Sequence, residues 1–425
     1  MTTAMLVILG IWFVSLFTGA PIYLTMALAG AAFIFVAGIN PISIPQKITK
    51  AADSFPLLAA PMYILMGSLM NSSGITERIF RFATVCVGWW KGGLCHANIL
   101  GSVIFAGMSG SAVADAGGIG LIEIKAMRDA GYDGETAAAI TAASATIGPI
   151  IPPSLPMIIY GVSAEASIGG LFLGGVIPGL LMAGALMLMV RSIAIRRNLP
   201  RVPFPTLVDV WSAFTGAFWA LMAPVVLFGG MMSGIFTATE SAVVAALYAL
   251  IVGLFYADFR WRDLPRILLD TIETTGVLMA LVMSAALLAY ALALSRLPQT
   301  FGALLTSLTD SRLLYLLLVA AVLLVVGCFM EAISAMLILI PILVPVAMVL
   351  GIDPIQFGLV MVLTLMIGTI TPPVGIVLFV TARVADLPFE AVCKATMPFL
   401  IPLLSVLLAI ILWPPLTTWL PSLMR

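Results

Sequence analysis

Charged side chains are scarce in this sequence. Asp, Glu, Lys and Arg make up 9% of its 425 residues, whereas a soluble domain carries about 25% because its surface must contact water. The net charge is zero, which argues against nucleic acid as a partner. Because 62% of the residues are hydrophobic, the outer surface must contact membrane lipid instead.

The residue types that build metal centres and catalytic sites are scarce too. His96 is the only histidine, and one histidine cannot form a histidine-cluster metal site. No cluster of histidines or carboxylates has catalytic spacing, so an enzyme is not expected. The phosphate-binding pattern GxxxxGK[ST] is absent as well, so this chain cannot hydrolyse ATP. The cysteines are scattered and are typical of small apolar core residues: Cys86, Cys95, Cys328 and Cys393.

Long apolar runs, in contrast, are abundant. A spanning helix needs about 20 mostly apolar residues, so the length allows roughly ten to twelve spans plus shorter re-entrant segments. Lipid leaves backbone polar groups unsatisfied unless they form helices or closed barrels, and these runs lack the alternation of barrel strands. The sequence therefore predicts an all-α polytopic membrane protein. Spans are expected near 3–18, 20–38, 56–71, 82–104, 156–163 with extensions on both sides, 170–195, 207–232, 236–257, 267–294, 312–330 and 392–413.

Two groups of arginines orient the chain. One lies at 191–201 and the other at 260–266. The positive-inside rule places both loops in the cytoplasm. Two expected spans separate the loops and return the chain to the same side, so the two assignments agree.

The sequence contains an internal repeat. IGPIIPPS begins at Ile147 and IGTITPPV begins 220 residues later, at Ile367. The same shift aligns 131–133 with 351–353, where both segments read Gly-x-Asp. We predict that one membrane unit, residues 1–425, contains two related halves. These are 15–205 and 235–425.

The charge pattern indicates that the two halves have opposite orientations. The basic loop 191–201 corresponds to 411–421, and the basic loop 258–266 corresponds to 38–46; neither counterpart contains Lys or Arg. Since positive charge marks the cytoplasmic side only, inversion predicts this loss. A parallel duplication with a chance loss of charge is the alternative. Inverted repeats are typical of secondary transporters, which bind substrate at the repeat interface near the middle of the membrane.

Each half contains a Pro-Pro motif that must interrupt a helix, because proline cannot donate a backbone hydrogen bond. In lipid such a break persists only where it lines a cavity or binds something. Freed carbonyls and half-helix C-termini suit a cation such as Na⁺. We predict broken helices near 136–160 and 355–381. Nearby hydroxyls add hard oxygen ligands: Ser144, Thr146, Ser154, Thr369 and Thr371.

Each half also contains an apolar piece that is too short for a full span. We predict a re-entrant hairpin near 105–125, which ends at the charged residue Glu123, and a second one near 328–350. Helix N-termini at the hairpin tips would offer N–H groups to an anion. Asp115 and Glu331 lie in these elements, and an intramembrane carboxylate is a functional candidate by default. For Glu240 a helix-capping role is an equal alternative.

Several of these motifs, in the same order, resemble the large membrane subunit of TRAP (tripartite ATP-independent periplasmic) transporters. They are SGSAVADAGGIG, GYDGETAAAITAASATIGPIIPPS, FTATES, FMEAISAMLILIPILVP, GIDPIQFG and IGTITPPVG. The resemblance covers nearly the whole chain. It implies an elevator-type transporter, with scaffold and transport domains, that imports an organic anion with Na⁺ across the bacterial inner membrane. A C4-dicarboxylate or a sugar acid is the implied kind of substrate.

The resemblance also implies partners and site residues. The partners are a soluble periplasmic binding protein and a small four-helix membrane subunit, expected as a separate chain because no extra helices precede residue 1. The implied Na⁺ ligands are Ser109, Ser111, Gly148, Pro152, Gly327, Gly368, Thr371 and Pro372. The implied substrate contacts are Ser111, Ser154 and Glu331. The alternatives are a Na⁺ or H⁺/anion symporter that needs no binding protein and, from another class, an ion channel.

Overall fold

Helices and their connecting loops make up the whole described part of the chain, and no strand occurs in it. The computed structural model describes residues 10–12, 14–15, 18–256, 261–296 and 311–423. The helices are α1 Ile22–Val36, α2 Ser43–Ala52, α3 Ala59–Ser72, α4 Ile75–Val87, α5 Gly93–Ser109, α6 Ala112–Gly117, α7 Ile119–Asp129, α8 Gly134–Ala145, α9 Leu155–Ser163, α10 Ile168–Arg197, α11 Leu207–Met232, α12 Ala238–Phe255, α13 Leu264–Ser295, α14 Arg312–Phe329, α15 Ala332–Val349, α16 Pro354–Gly368, α17 Ile376–Ala385, α18 Phe389–Leu412 and α19 Pro415–Ser422. A 3₁₀ turn, Phe55–Leu58, leads into α3.

Eight helical segments of the described residues are long and apolar enough to cross a membrane. They are the turn with α3, then α10, α11, α12, α13, α14, α15 and α18. The prediction of an all-α polytopic membrane protein is confirmed. The number is below the expected ten to twelve because α1, α5, α16 and α17 are apolar but shorter. The span expected near 3–18 lies mostly outside the described residues.

Two of the expected spans have different bounds in the structure. The segment 82–104 is not one span, because a turn separates α4 from α5 and Gly92 takes φ +70° there. The segment 156–163 was expected to extend on both sides, yet α9 starts only after the Pro-Pro motif and ends at Ser163. Glycine and proline decide both boundaries, although the flanking residues are as apolar as those of a full span.

The two predicted halves contain helices in the same order. With a shift of 220 residues, α6 and α7 together correspond to α15, and α8 to α16. The matching Gly-x-Asp segments have one local cause. Asp133 accepts from Thr136 N at 2.6 Å and Asp353 accepts from Ile355 N at 2.8 Å, so each carboxylate caps the next helix. The inversion of the halves and the depth of the hairpins in the membrane stay predictions.

One end of the molecule, the basic face, gathers the arginine-rich loop and several helix ends. Arg197 forms an ion pair with Asp133 at 3.6 Å. Gly92 N donates to Pro200 O at 3.1 Å, and Arg128 Nη1 donates to Ala385 O at 2.9 Å. The end of α12 also lies at this end, beside the first turns of α11, because the Tyr256 hydroxyl donates to Gly216 O at 2.9 Å.

The helices outside the matched pairs form a second group around α13. This helix has 32 residues and packs against α1, α2, α3 and α15. Its contact with α1 is close, since a Cβ atom at Gly30 would lie 3.1 Å from the backbone of Leu287. The only direct packing to consider for the site is that between α13 and the hairpin arm α15, because it joins the two groups.

Candidate functional site

The first hairpin turns at Gly110, which takes φ +63° at the end of α5. Ser111 caps the following helix, because its Oγ accepts from Ala114 N at 3.4 Å. The Ser109 hydroxyl donates to Ser111 O at 3.4 Å. Two of the predicted ligands thus stabilise the tip itself.

The first Pro-Pro break packs directly on this tip. A Cβ atom at Gly110 would lie 2.5 Å from Pro153 O, so only glycine permits the contact. Ser154 begins α9: its Oγ accepts from Met157 N at 3.2 Å and donates to Pro149 O at 2.5 Å. The bond between Pro152 and Pro153 is cis.

The second hairpin and the second break are joined in the same manner. Glu331 caps α15, since its Oε2 accepts from Ser334 N at 3.1 Å. Gly375 N, in the break, donates to Cys328 O at the hairpin tip at 3.0 Å. Below the tip, a Cβ atom at Gly327 would lie 3.1 Å from Gly368 Cα, so α14 and α16 are in backbone contact.

Both tips and both breaks meet at one cavity. The lining residues are Gly110, Ser111, Ala112, Val113, Pro149, Leu155, Pro156, Glu331, Ala332, Ile333, Met366, Thr369, Ile376 and Val377. Several of them are the first residues of α9, α15 and α17, so three helix N-termini end here. Of the predicted substrate contacts, Ser111 and Glu331 line this tip cavity, whereas Ser154 is buried directly behind it.

The predicted Na⁺ ligands fall into two clusters beside the tip cavity. Ser109, Gly148 and Pro152 belong to the first hairpin and break, and Gly327, Gly368, Thr371 and Pro372 belong to the second. Thr371 donates its hydroxyl to Ile367 O at 2.7 Å, which leaves oxygen lone pairs free to accept. Their role in cation binding stays a prediction.

Asp115 completes the first cluster, although the sequence ranked it below Glu331. Its side chain is 1% exposed, and neither carboxylate oxygen has a hydrogen-bond partner. Oδ2 occupies the space that a Cβ atom would take at Gly148. The Ser109 hydroxyl is a neighbour of this carboxylate. The contact joins residues 33 positions apart, so no local pattern reveals it.

Glu123 was expected at the water boundary, and this is wrong, because its side chain is fully buried. Asn98 Nδ2 donates to Glu123 Oε2 at 2.6 Å and to Thr141 Oγ1 at 2.8 Å. Ser144 donates to Asn98 Oδ1 at 2.6 Å, so its hydroxyl belongs to this polar cluster rather than to the break. With the shift of 220 residues, the second half has mostly apolar counterparts: Leu318, Leu343, Met361 and Thr364.

Glu240 has the capping role. Its Oε2 accepts from Thr237 N at 2.8 Å, and Thr237 Oγ1 accepts from Glu240 N at 3.3 Å. This reciprocal pair is a capping box at the start of α12. No group of three or more His, Cys, Asp or Glu side chains that could hold a metal ion occurs among the described residues.

Comparison with known proteins gives the family. Residues 9–416 match the model of the tripartite ATP-independent periplasmic transporter, DctM component. The sialic acid TRAP transporter large permease protein SiaM of Vibrio cholerae is 43% identical over 414 residues, which is 97% of each chain. The 2,3-diketo-L-gulonate TRAP transporter large permease protein YiaN of Escherichia coli is 39% identical over 97% of this chain and 98% of its own.

A solved structure shows a similar fold. The Alcanivorax borkumensis YdaH transporter, described as having an unusual topology, superposes with a TM-score of 0.59 at 16% identity. The superposition covers 88% of this chain and 87% of that one. At this identity the likeness concerns the fold alone.

These findings define the class and then the family. Paired helical hairpins and broken helices around one cavity, in a fold shared with a transporter, are those of a membrane transport protein. The chain belongs to the DctM component family, the large permeases of tripartite ATP-independent periplasmic transporters. The resemblance is confirmed, and so is the prediction of a transporter component rather than an enzyme.

Proposed function

We propose that this permease imports an organic acid with Na⁺ across the bacterial inner membrane. It would act with a small four-helix membrane subunit and a soluble periplasmic binding protein. SiaM and YiaN are named for sialic acid and 2,3-diketo-L-gulonate, and both compounds are organic acids. The observation that carries the proposal is the tip cavity, where both hairpins and both breaks meet.

The tip cavity suits a carboxylate group. The N-termini of α9 and α17 border it, and helix N-termini attract anions through their free N–H groups and dipole. The first turn of α17 has no side-chain cap, so its amides are available to a ligand. The Ser111 hydroxyl and the Glu331 carboxylate would contact polar groups of the same substrate.

Na⁺ fits the two clusters beside the tip cavity as a transported ion. A buried carboxylate without a hydrogen-bond partner is costly unless a cation or a proton neutralises it. Asp115, next to Gly148, is such a group. We therefore add Asp115 to Ser109, Gly148 and Pro152 in the first cluster. The second cluster would hold its ion with neutral oxygens only.

An elevator movement is supported by the position of the site along α13. Glu331 and Ser334 line a further cavity together with Thr274 and Leu281 of α13. Thr274 lies ten residues from Leu264, where α13 begins, which is about 15 Å of helix. The site is therefore nearer the end of α13 that follows the basic loop. An elevator would carry the hairpins along α13 toward its other end.

Uptake by proteoliposomes tests this function. The permease would be reconstituted with its small subunit, and the substrate would first be found by thermal shift of the binding protein encoded beside it. We expect uptake to need both the loaded binding protein and an inward Na⁺ gradient. Undiminished uptake in K⁺ without a pH gradient would exclude Na⁺ coupling. Rapid uptake without the binding protein would favour a simple symporter, and unitary currents a channel.

A further inference from the structure

A larger cavity, of about 540 Å³, lies away from the tips. Lys47 and Lys50 of α2 border it, together with Glu165 after α9, Tyr290 of α13 and Pro341 of α15. Its volume falls within the range of about 300–1,000 Å³ that is typical of small-molecule sites. We call it the lysine cavity.

The lysine cavity lies at the far end of α13 from the basic loop. The Lys47 ammonium group lies 4.3 Å from the centroid of the Tyr290 ring. Tyr290 is 24 residues from Arg266 on the same helix, which is about 36 Å. If the arginine-rich loops are cytoplasmic by the positive-inside rule, the lysine cavity is on the periplasmic side.

Its charge is unusual for that side. Lysines are depleted there in membrane proteins, yet Lys47 and Lys50 stand one helical turn apart and line the same cavity. Neither lysine is in an ion pair within the part of the chain that the structure describes. Glu165 is the one acidic residue that lines the cavity, so the net charge of its lining is positive.

The lysine cavity adjoins the route to Glu331. Val282 and Leu337 line the lysine cavity, whereas Leu281 and Ser334 line the cavity that contains Glu331. The two cavities therefore follow one another along the contact between α13 and α15. A ligand that moved along this contact would pass from the lysines to the hairpin tip.

We propose that Lys47 and Lys50 form a periplasmic anion site, which binds the carboxylate of the incoming substrate before it reaches the tip cavity. This step rests on the proposed function for its role in uptake. The binding chemistry itself, two ammonium groups and a carboxylate, does not depend on transport. It is therefore testable separately.

Lysine acetylation in nanodiscs tests the site without transport. Sulfo-NHS-acetate would modify the purified permease in phosphatidylcholine nanodiscs, and mass spectrometry would follow Lys47, Lys50 and, as a control, Lys91 near the basic face. We expect succinate to slow acetylation of the two cavity lysines but not of Lys91, and uncharged erythritol to slow none. Equal rates with and without succinate would overturn the proposal. Protection by phosphatidylglycerol in the disc, and not by succinate, would also overturn it in favour of a lipid headgroup site.

Uptake by charge-neutral variants then tests the role. Each lysine charge near a carboxylate at the protein surface is worth about fivefold in affinity. Lys47→Gln with Lys50→Gln should therefore raise the half-saturating substrate concentration and leave the maximal rate nearly unchanged, and Lys91→Gln should change neither. Unaltered saturation in the double variant would refute the proposed role. If the native protein showed no uptake, the proposed function would fail while the acetylation result still decided the site.

Discussion

Replacement of Asp115 by Asn tests the first cation cluster. Asn keeps the shape of the side chain and removes its charge. Both carboxylate oxygens lack a hydrogen-bond partner, and an unpaired buried charge costs several kcal/mol. In K⁺, Asp115→Asn should therefore be at least as stable as the native protein.

Na⁺ should reverse this order. A ligand that binds only the folded state stabilises it by about 2.7 kcal/mol when its concentration is 100 times Kd. The native protein should gain stability of this order in Na⁺, and Asp115→Asn should lose most of the gain. Glu123→Gln is the matched control, since Glu123 is also buried but bonds to Asn98. It should keep the native response to Na⁺.

The assay can use the cysteines of the chain. Cys95, Cys328 and Cys393 are buried, so a thiol-reactive fluorophore reports unfolding when heat exposes them. Exposed Cys86 sets the baseline. Midpoints would be compared in Na⁺ and K⁺ at one ionic strength. An equal rise for the native protein and Asp115→Asn would refute the assignment of Asp115, and marked destabilisation of the variant in K⁺ would refute the argument from unpaired charge.

Two further substitutions test packing and capping. Gly368→Ala would place a Cβ atom 2.7 Å from Gly327 Cα and should cost about 1–3 kcal/mol of stability, whereas Gly184→Ala meets no atom within 4 Å and should cost nothing; equal midpoints for the two would contradict the close approach of α14 and α16. Glu240→Ala removes the capping box with Thr237 and should cost about 0.5–2 kcal/mol without changing the Na⁺ response. A lost Na⁺ response in Glu240→Ala would show that its role is more than capping.

The sequence predicts those parts of the fold that depend on local chemistry. The expected span 207–232 coincides with α11, because a capping box at Thr206 and a long apolar run fix its start and its course. The tips at Gly110 and Glu331 were also placed correctly, since glycine and a short polar segment end the preceding helices.

Contacts between distant segments could not be read in this way. The burial of Glu123 depends on Asn98 from another helix, whereas its sequence neighbours Lys125 and Arg128 suggest a surface. Likewise, Asp115 meets Gly148 only after the hairpin packs on the broken helix. The polar cluster of the first half therefore has no local signature, although its apolar counterparts in the second half mark it once the repeat is aligned.

The length of α13 has a consequence for the bilayer. Its strongly exposed apolar side chains extend from Leu268 to Leu294, a stretch of about 39 Å. The hydrocarbon core is about 30 Å thick, so α13 must tilt by about 40° or thicken the surrounding lipid. A hairpin that slides along a tilted helix also moves sideways in the plane of the membrane. Lipids or neighbouring helices on that side must therefore give way at every cycle, and the thickness of the membrane becomes a factor in how far the substrate travels.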